Sequence, residues 1–435
     1  MKRLLAIAVL LAIAGIALWW FTRQNPAALP KPPTPPVTIT PPPVPPKPPA
    51  LSELGETPDW SQLDMFQETI TREDFERLLT TVFTTGEGWR AFITIGDQDV
   101  RIRTGIENEE FILRFAAPGN VKPAPRMWRS TAELPPAPPD RPLEGLRIAI
   151  DPGHIGGQWA RIEERWLKVG DTPPVCEGDM TLLVSQLLKP KLEALGATVF
   201  LVRENCEPIT KLRPADLMMA AAESISADSP PDELRRTAER LFYRTAEIRA
   251  RAEIVNHTLK PDLVLCIHFN ADPWGDCEHA TLVTRTHLHL LVNGAYTDTE
   301  TALADQRQAM LDKLLRRTHE EETQVSATVA EVFARRSGLP PFIYPPGTST
   351  VRQVDGNPYL WARNLLANRL YDCPVVFMEP YVMNSVIDHP RMIAGDYEGL
   401  REISGKQQPS LFREYADAMA EGLAKHYAEK RAKAN

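Results

Sequence analysis

Three short apolar runs in the chain each end on a polar or ionisable side chain. The runs and the side chains that follow them are residues 146–150 with His154, residues 263–267 with His268, and residues 375–378 with Glu379. Runs of this length, bounded by Gly, Pro or polar residues, are typical of buried strands. Because α/β proteins place functional groups beyond the carboxyl ends of such strands, the pattern indicates one site at one sheet edge.

Helical periodicity fills the intervals between these runs. Apolar residues recur at spacings of three and four over residues 177–195, and Gly196 ends this helix. A strand over residues 198–202 follows, and a second long helix covers residues 232–259 until Pro261. Alternating strands and helices predict an α/β fold, with a single, mostly parallel or mixed sheet flanked by helices.

The segment before this sheet has a pattern of its own. Residues 71–82 have helical spacing, whereas residues 89–95 and 111–115 alternate between apolar and polar positions. This combination predicts a small N-terminal α+β domain. It contains no cluster of candidate catalytic residues, so its role stays open.

Proline-rich stretches separate the predicted units. Of the 25 residues from position 26 to position 50, 13 are proline, which excludes helix and sheet. The predicted boundaries are a linker over residues 26–58, the small domain over residues 59–120, a second linker over residues 121–141, the main domain over residues 142–430, and insertions in that domain at about residues 204–231 and 275–370.

The N-terminus carries a targeting signal. Residues 4–21 form an uninterrupted apolar stretch after Lys2 and Arg3, and 18 residues of helix span roughly 27 Å, the thickness of a bilayer core. We predict a transmembrane signal anchor over residues 1–25, with the rest of the chain on the periplasmic, extracytoplasmic side of the inner membrane. The alternative is a signal peptide that is cleaved, which would leave a secreted protein.

Composition narrows the class of protein. The hydrophobic fraction of 43% suits a globular chain with a buried core, and the formal charge of −8 without a basic cluster argues against a nucleic-acid partner. Five cysteines are an odd number for an oxidising compartment, so at least one is predicted to stay unpaired.

The side chains at the strand ends have the chemistry of a zinc hydrolase. Hydrolytic zinc sites use three protein ligands from His, Asp or Glu and a nearby carboxylate that handles protons. His154, His268 and Glu177 supply such a set, and Glu379 supplies the carboxylate.

Two alternatives to this ligand set stay open at this point. Glu163 and Glu164 compete with Glu177 as the second ligand, although only Glu177 opens a helix. His287 and His289 would face one side of a strand and could form a metal pair, or they are ordinary structural histidines, since no third ligand accompanies them.

The motifs around these residues resemble those of the zinc-dependent N-acetylmuramoyl-L-alanine amidases of the AmiC type. Residues 148–157 match an apolar strand with Asp-Pro-Gly-His-Gly-Gly, except that Ile155 replaces a glycine. The other matches are residues 177–182 with Glu-Lys-Asp-Val-Asn-Leu, residues 266–271 with Ser-Ile-His-Ala-Asn-Ala, and residues 378–384 with Val-Glu-x-Gly-Phe-x-x-Asn. The resemblance covers roughly residues 142–428.

The resemblance implies a function. It implies a Zn²⁺ cofactor on the three ligands, Glu379 as general base and then acid, and hydrolysis of the amide between N-acetylmuramic acid and the L-alanine of the stem peptide, in cell-wall remodelling or daughter-cell separation. The substrate-binding residues that it implies are Arg251, Asn270 and Asn384. The partners are peptidoglycan and the inner membrane, and a protein activator is left open.

Other functions are compatible with the same residues. One is a catalytically inactive, membrane-tethered protein that binds or regulates the cell wall, and another is a zinc amidase or peptidase for a different amide. The acidic run at residues 320–322 adds a regulatory hypothesis: one of its carboxylates would occupy the open zinc position, whereas the alternative is a solvated helix face.

Overall fold

The computed structural model describes residues 49–433. The strands are β1 Ile93–Ile95, β2 Asp99–Arg103, β3 Glu110–Arg114, β4 Arg147–Pro152, β5 Trp166–Leu167, β6 Val175–Cys176, β7 Thr198–Leu201, β8 Leu263–Ile267, β9 Leu288–Val292, β10 Arg352–Gln353, β11 Leu360–Ala362, β12 Val375–Pro380, β13 Arg401–Ile403 and β14 Lys406–Gln408. The helices are α1 Arg72–Leu78, α2 Glu177–Ala194, α3 Met218–Ser224, α4 Pro231–Leu241, α5 Glu247–Glu253, α6 Asp298–Thr301, α7 Ala304–Arg316, α8 Thr318–Ser337, α9 Leu366–Leu370, α10 His389–Ile393 and α11 Leu411–Lys433.

The predicted membrane anchor over residues 4–21 lies outside the described residues, as does most of the first predicted linker. Over residues 49–433, none of the helices combines the length and the apolar character that a bilayer crossing requires.

A seven-stranded mixed sheet forms the centre of the molecule. Its order is β10-β11-β9-β12-β8-β4-β7. The strands β7, β4, β8 and β12 are parallel, β9 runs antiparallel to β12, and β11 runs parallel to β9. Helices cover both faces, so the predicted single mixed sheet flanked by helices is confirmed.

Both faces of this sheet are buried because the parallel strands are apolar throughout. All five residues of β8 are buried, as expected for a strand that is covered on two sides. Helices α2, α8 and α11 pack on one face, and α5 and α9 pack on the other. The result is a three-layer arrangement with its core on either side of the sheet.

The second long helix extends continuously from Pro231 to Leu259 and includes two segments with π-type hydrogen bonds, Phe242–Ala246 and Ile254–Leu259. It ends at Lys260, whose φ of 46° is left-handed, just before Pro261. This agrees with the helix predicted over residues 232–259. The helix places Arg251 on the face of the sheet near β4.

The segment 275–370, predicted to be an insertion, is part of the main sheet. It contributes the three strands β9, β10 and β11, and its helix α8 packs on the core. The segment 204–231 instead lies at the surface of the fold, where Leu217, just before α3, and Ala221 within it pack on the long helix.

The small N-terminal part has the predicted α+β content. Strands β1, β2 and β3 form an antiparallel sheet, and α1 packs with them. Its core is completed by side chains of α7, among them Met310, Leu311 and Leu314. The Arg307 guanidinium of α7, fully buried, donates to the Arg103 carbonyl. The domain boundary at residue 120 stays a prediction. The five cysteines all carry free thiols.

Buried histidines should make the fold sensitive to acid. His426 on α11 is 1% exposed, and burial lowers its pKa to about 4. When the pKa of a histidine is lower in the folded chain than in the unfolded chain, the unfolded chain binds the proton more readily. The stability that the fold has above the unfolded pKa is therefore lost as the pH falls. At pH 4.5 the loss from this one histidine is about 2–3 kcal/mol.

We therefore expect the melting temperature of the wild type to fall between pH 7 and pH 4.5, and the His426→Gln variant to show a smaller fall. Thermal unfolding of both proteins at the two pH values measures this. An equal fall in both proteins would mean that His426 does not contribute.

Candidate metal centre

The topology of the sheet brings three of the predicted site residues together. Strands β4, β8 and β12 are adjacent and parallel, so their carboxyl ends meet at one edge. His154 follows β4 after a tight turn, His268 directly follows β8, and Glu379 lies near the end of β12. Glu177 reaches the same place as the first residue of α2.

His154, Glu177 and His268 converge on one point. His154 Nε2 lies 3.3 Å from Glu177 Oε2, and His268 Nδ1 lies 3.1 Å from Glu177 Oε1. One nitrogen or oxygen from each of the three residues lies within 4.8 Å of the others. Among residues 49–433, no second group of three His, Cys, Asp or Glu side chains has this geometry.

Gly153 makes this approach possible. A Cβ atom at position 153 would lie 2.3 Å from the His268 ring, so any larger residue would displace that imidazole. His154 itself has a φ of 59°, in the left-handed region. The Asp-Pro-Gly-His turn therefore fixes the two imidazoles nearly perpendicular to each other, with ring planes at 81°.

The residues fit a zinc ion. Two imidazoles and one carboxylate are a donor set that hydrolytic zinc sites use. Glu177 is 1% exposed, and its Oε2 atom has no hydrogen-bond partner, although Arg165 Nε lies 3.1 Å away. Burial opposes ionisation of Glu177, but the charge of His154 and a hydrogen bond from His268 lower its pKa to about 2. It is therefore ionised, as a ligand must be.

Glu163 lies behind His154, on the side of the other ring nitrogen. Its Oε1 atom is 3.6 Å from His154 Nδ1, and the carboxylate accepts hydrogen bonds from the N–H groups of Ile155 and Gly156 at 2.8 and 2.9 Å. Burial works against ionisation, yet the nearby His154 imidazole and the two N–H groups keep the pKa of Glu163 below its usual value. Glu163 is therefore positioned to orient the His154 imidazole, as carboxylates do in metal sites.

The other candidates for metal ligation lie elsewhere. Glu164 accepts hydrogen bonds from Tyr243 and Arg244. His289 is held between Asn270 and Tyr344, at 3.5 and 3.4 Å, and does not join the three converging ligands.

The acidic run at residues 320–322 does not reach the open position. Glu320 pairs with Arg317, Glu321 accepts a hydrogen bond from the Thr131 N–H, and Glu322 is buried against Lys313. None of the three carboxylates lines the cavity above the ligands. The structure therefore contradicts the hypothesis that one of them occupies the zinc position in this conformation.

Glu379 faces the same cavity. Burial and the neighbouring Glu177 carboxylate raise its pKa to about 8. His289 lies directly opposite it on β9. Burial lowers the pKa of His289 to about 3, so the imidazole is neutral. A carboxyl group with a pKa near neutrality is suited to accept a proton and to return it.

An open cleft of about 760 Å³ lies over these residues. Its walls combine aromatic rings with a few polar side chains, as ligand-binding clefts commonly do. The aromatic lining residues are Trp166, Phe269, Trp274, Phe342 and Tyr344. A smaller cavity of about 160 Å³ adjoins the other side of His154 and His268.

The three residues predicted to bind substrate have different positions. Asn270 lines the cleft. Arg251 is buried and donates to Asp151, Glu247 and the His154 carbonyl, so it holds the turn that carries the first imidazole. Asn384 is fully buried, and its side chain bonds the Asp272 N–H and the Thr281 carbonyl behind the cleft wall. A substrate contact by the last two stays a prediction.

Ile155, which replaces a glycine of the resembled motif, is explained by its packing. It is fully buried in a cluster with Leu217, Ala221 and Phe242. The surface segment 204–231 thus covers the apolar side chain that the turn carries, and this change leaves the ligand atoms in place.

Sequence reasoning missed two cleft residues. Arg165 follows the Glu163–Glu164 pair and ion-pairs with Glu177, and Arg363 follows β11. Neither has a motif, and only the folded positions of their segments bring them to the cleft.

Comparisons with known proteins give structural likenesses only. No protein-family model and no curated protein sequence matches the chain. Among solved structures, it is similar to the N-acetylmuramyl-L-alanine amidase Ami1 from Mycobacterium smegmatis, with 19% identity over 66% of this chain and 99% of that chain and a TM-score of 0.37. It is also similar to the CwlD amidase from Clostridioides difficile in complex with the GerS lipoprotein, with 13% identity, coverage of 65% and 98% and a TM-score of 0.35.

A third likeness is to the N-acetylmuramoyl-L-alanine amidase AmiC2 of Nostoc punctiforme, with 15% identity, coverage of 66% and 97% and a TM-score of 0.33. At these identities and TM-scores, a function for this chain has to be argued from its own site.

Proposed function

We propose that this protein is a zinc-dependent N-acetylmuramoyl-L-alanine amidase, which hydrolyses the amide between N-acetylmuramic acid and the L-alanine of the peptidoglycan stem peptide. One observation carries the proposal: His154, Glu177 and His268 converge within 4.8 Å in the cleft that Glu379 also lines, in motifs that resemble this family. An extracytoplasmic location, with residues 4–21 as membrane anchor, belongs to the same proposal because peptidoglycan lies outside the inner membrane.

The site residues have two roles, metal binding and proton transfer. His154, Glu177 and His268 would hold the zinc ion. When bound, the ion supplies a Lewis acid that polarises an amide carbonyl and acidifies water. Glu379 takes the proton of the attacking water and passes it to the leaving nitrogen of L-alanine. Glu379 lies near the end of β12 and lines the same cleft as the three ligands, which places it for both transfers.

The test is hydrolysis of purified muropeptides by the purified protein with zinc. We expect release of stem peptides with a free N-terminal L-alanine, which mass spectrometry identifies. Cleavage of the muropeptide at another amide would instead indicate a zinc peptidase. Zinc binding without any cleavage of muropeptides or sacculi would favour the inactive wall-binding function. Retention of a complete donor set together with Glu379 argues against that last alternative.

Glu163 should set the affinity for the metal. Replacing Glu163 with glutamine removes the charge that faces His154 Nδ1 but keeps a side chain of the same size. Loss of an orienting carboxylate of this kind typically weakens metal binding about 10–100-fold. We expect a shift of this size in zinc affinity, measured by competition with a chelating dye.

The matched control is Glu164→Gln, which changes the neighbouring, exposed carboxylate and should leave zinc affinity unchanged. Equal affinities for Glu163→Gln and the wild type would show that Glu163 only supports the backbone of the turn.

A further inference from the structure

Tyr381, two residues after the proposed base Glu379, has an unusual backbone conformation. Its φ is 61°, in the left-handed region, which a bulky aromatic residue rarely adopts. The resembled motif has a glycine at this position, and glycine adopts such angles freely. A strained conformation of this kind persists only where its surroundings fix it, and such conformations cluster at functional sites. The contacts that fix Tyr381 are therefore candidates for a role in the reaction.

The backbone of Tyr381 joins the strand of the base to the segment that follows a metal ligand. The Tyr381 N–H donates to the His287 carbonyl at 2.9 Å, so the chain after β12 is still paired with the chain before β9. The Tyr381 carbonyl accepts a hydrogen bond from the Asn270 N–H at 3.2 Å, and Asn270 lies two residues after His268. The conformation of Tyr381 therefore fixes the chain after Glu379 against the chain after His268.

A buried polar network holds the Tyr381 side chain. Its hydroxyl donates to Glu414 Oε1 on α11 at 2.7 Å, and Arg391 on α10 donates to the same oxygen at 3.1 Å. Tyr381 is fully buried, and its ring packs on Phe333. Hydrogen bonds to a charged partner are stronger than those between neutral groups. The network therefore supplies a constraint of the kind that the left-handed backbone requires.

The next residue of α11 contacts the ligand segment. The Tyr415 hydroxyl donates to the His268 carbonyl at 3.2 Å. Two consecutive residues of one helix thus hold the two segments that must face each other, Glu414 through Tyr381 and Tyr415 directly. A helix is suited to this task because reacting groups must be held to within about 0.5 Å of the productive geometry.

We infer that Tyr381 and Glu414 are positioning residues, whose hydrogen bond holds the backbone after β12 so that the Glu379 carboxyl group faces the metal ligands. This rests on the proposed function and adds to it the residues that set the geometry of proton transfer. Neither side chain lines the cleft, so both act through Glu379 and not on the substrate. Loss of their contact lowers turnover and leaves the binding of substrate and zinc as it is.

Conservative variants test the inference. Tyr381→Phe removes only the hydroxyl, and Glu414→Gln removes the charge of its acceptor. We expect each variant to lower kcat for stem-peptide release about 10–100-fold, since a misplacement of about 1 Å can cost about 100-fold. KM and zinc affinity should stay close to those of the wild type. Because both variants disrupt the same contact, the double variant should lose little more than either single variant.

The matched control is Tyr397→Phe. Tyr397 is also buried, and its hydroxyl donates to the Gln408 carbonyl at 3.0 Å, at the end of β14. Both Tyr→Phe variants should lower the melting temperature, because each removes a hydrogen bond of a buried side chain. Only Tyr381→Phe should lower the turnover of the folded, zinc-loaded protein.

The outcomes separate this role from a purely structural one. An unchanged kcat in both Tyr381→Phe and Glu414→Gln, at equal zinc content, would overturn the inference. An equal loss of kcat in Tyr397→Phe would also overturn it, because that loss would reflect stability alone. Weaker zinc binding by Tyr381→Phe would mean that the contact serves the ligands and not the base.

Failure of the proposed function gives a different result. A zinc-loaded wild type that cleaves no muropeptide at the L-alanine amide overturns the proposed function, and the role of Tyr381 with it. A wild type that cleaves this amide, with variants that cleave it equally fast, overturns the positioning role alone.

Discussion

Replacing Glu379 with glutamine should lower kcat on muropeptides about 10²–10⁴-fold, the usual contribution of a positioned general acid or base. Glutamine has the shape of glutamate but cannot take a proton from water at neutral pH. The side chain lies at the end of β12, whose fold contacts are made by the neighbouring apolar residues. Zinc content and melting temperature should therefore stay close to those of the wild type.

The measurement is the steady-state rate of stem-peptide release, with zinc content determined on the same samples. Glu278→Gln, at an exposed carboxylate that pairs with Arg161, is the control and should keep its activity. A zinc-loaded Glu379→Gln protein that releases stem peptides at the rate of the wild type would remove Glu379 from the mechanism.

The ligand set was predictable from sequence because it depends on strong local signals. Buried parallel strands are continuous apolar runs, and β4, β8 and β12 are of this kind. Their common direction follows from the rule that strands joined by helical crossovers run parallel. Each predicted ligand or base at a strand end could therefore be placed at a common edge without any long-range information. Glu177 was found for a similar reason, since a helix begins there.

The antiparallel half of the sheet was not predictable in this way. Strands β10 and β11 have two and three residues, too few to show a period. Strand β9 is buried at all five positions, so it shows no alternation between buried and exposed residues. The place of β9 depends on its pairing with β12, β11 pairs with β9 and β10 pairs with β11, and no local pattern encodes these pairings. Arg363 reaches the cleft through these strands, and for that reason the sequence did not reveal it.

The resemblance assigns Arg251 to substrate binding, which stays a prediction, and the structure adds the contacts that this side chain makes. A motif records that an arginine is present, but the structure shows what it touches: its two ion-pair partners, Asp151 and Glu247, are buried carboxylates. A buried pair of this kind holds the turn before His154 in place. A loss of activity on replacing Arg251 would therefore be expected from disorder of the turn, whether or not substrate reaches it.

Removing His268 should abolish zinc binding and activity together. In His268→Asn the site keeps two of its three ligands. Zinc affinity should therefore fall more than about 100-fold, which exceeds the loss expected when the orienting carboxylate Glu163 is replaced. His289→Asn is the matched control: this imidazole lies on the same cleft wall and is buried, yet it is not among the converging ligands. It should bind zinc as the wild type does.

Zinc content by atomic absorption and the rate of stem-peptide release measure both effects. A chelator applied to the wild type should give the same loss of activity, and added zinc should restore it, which separates loss of the ion from misfolding of a variant. Because His268 stacks on Phe377 with ring centroids 4.6 Å apart, its removal also costs some stability, and the chelator experiment is free of this effect. Full activity after removal of the metal would mean that the three convergent side chains serve the fold and that the amide is cleaved by other means.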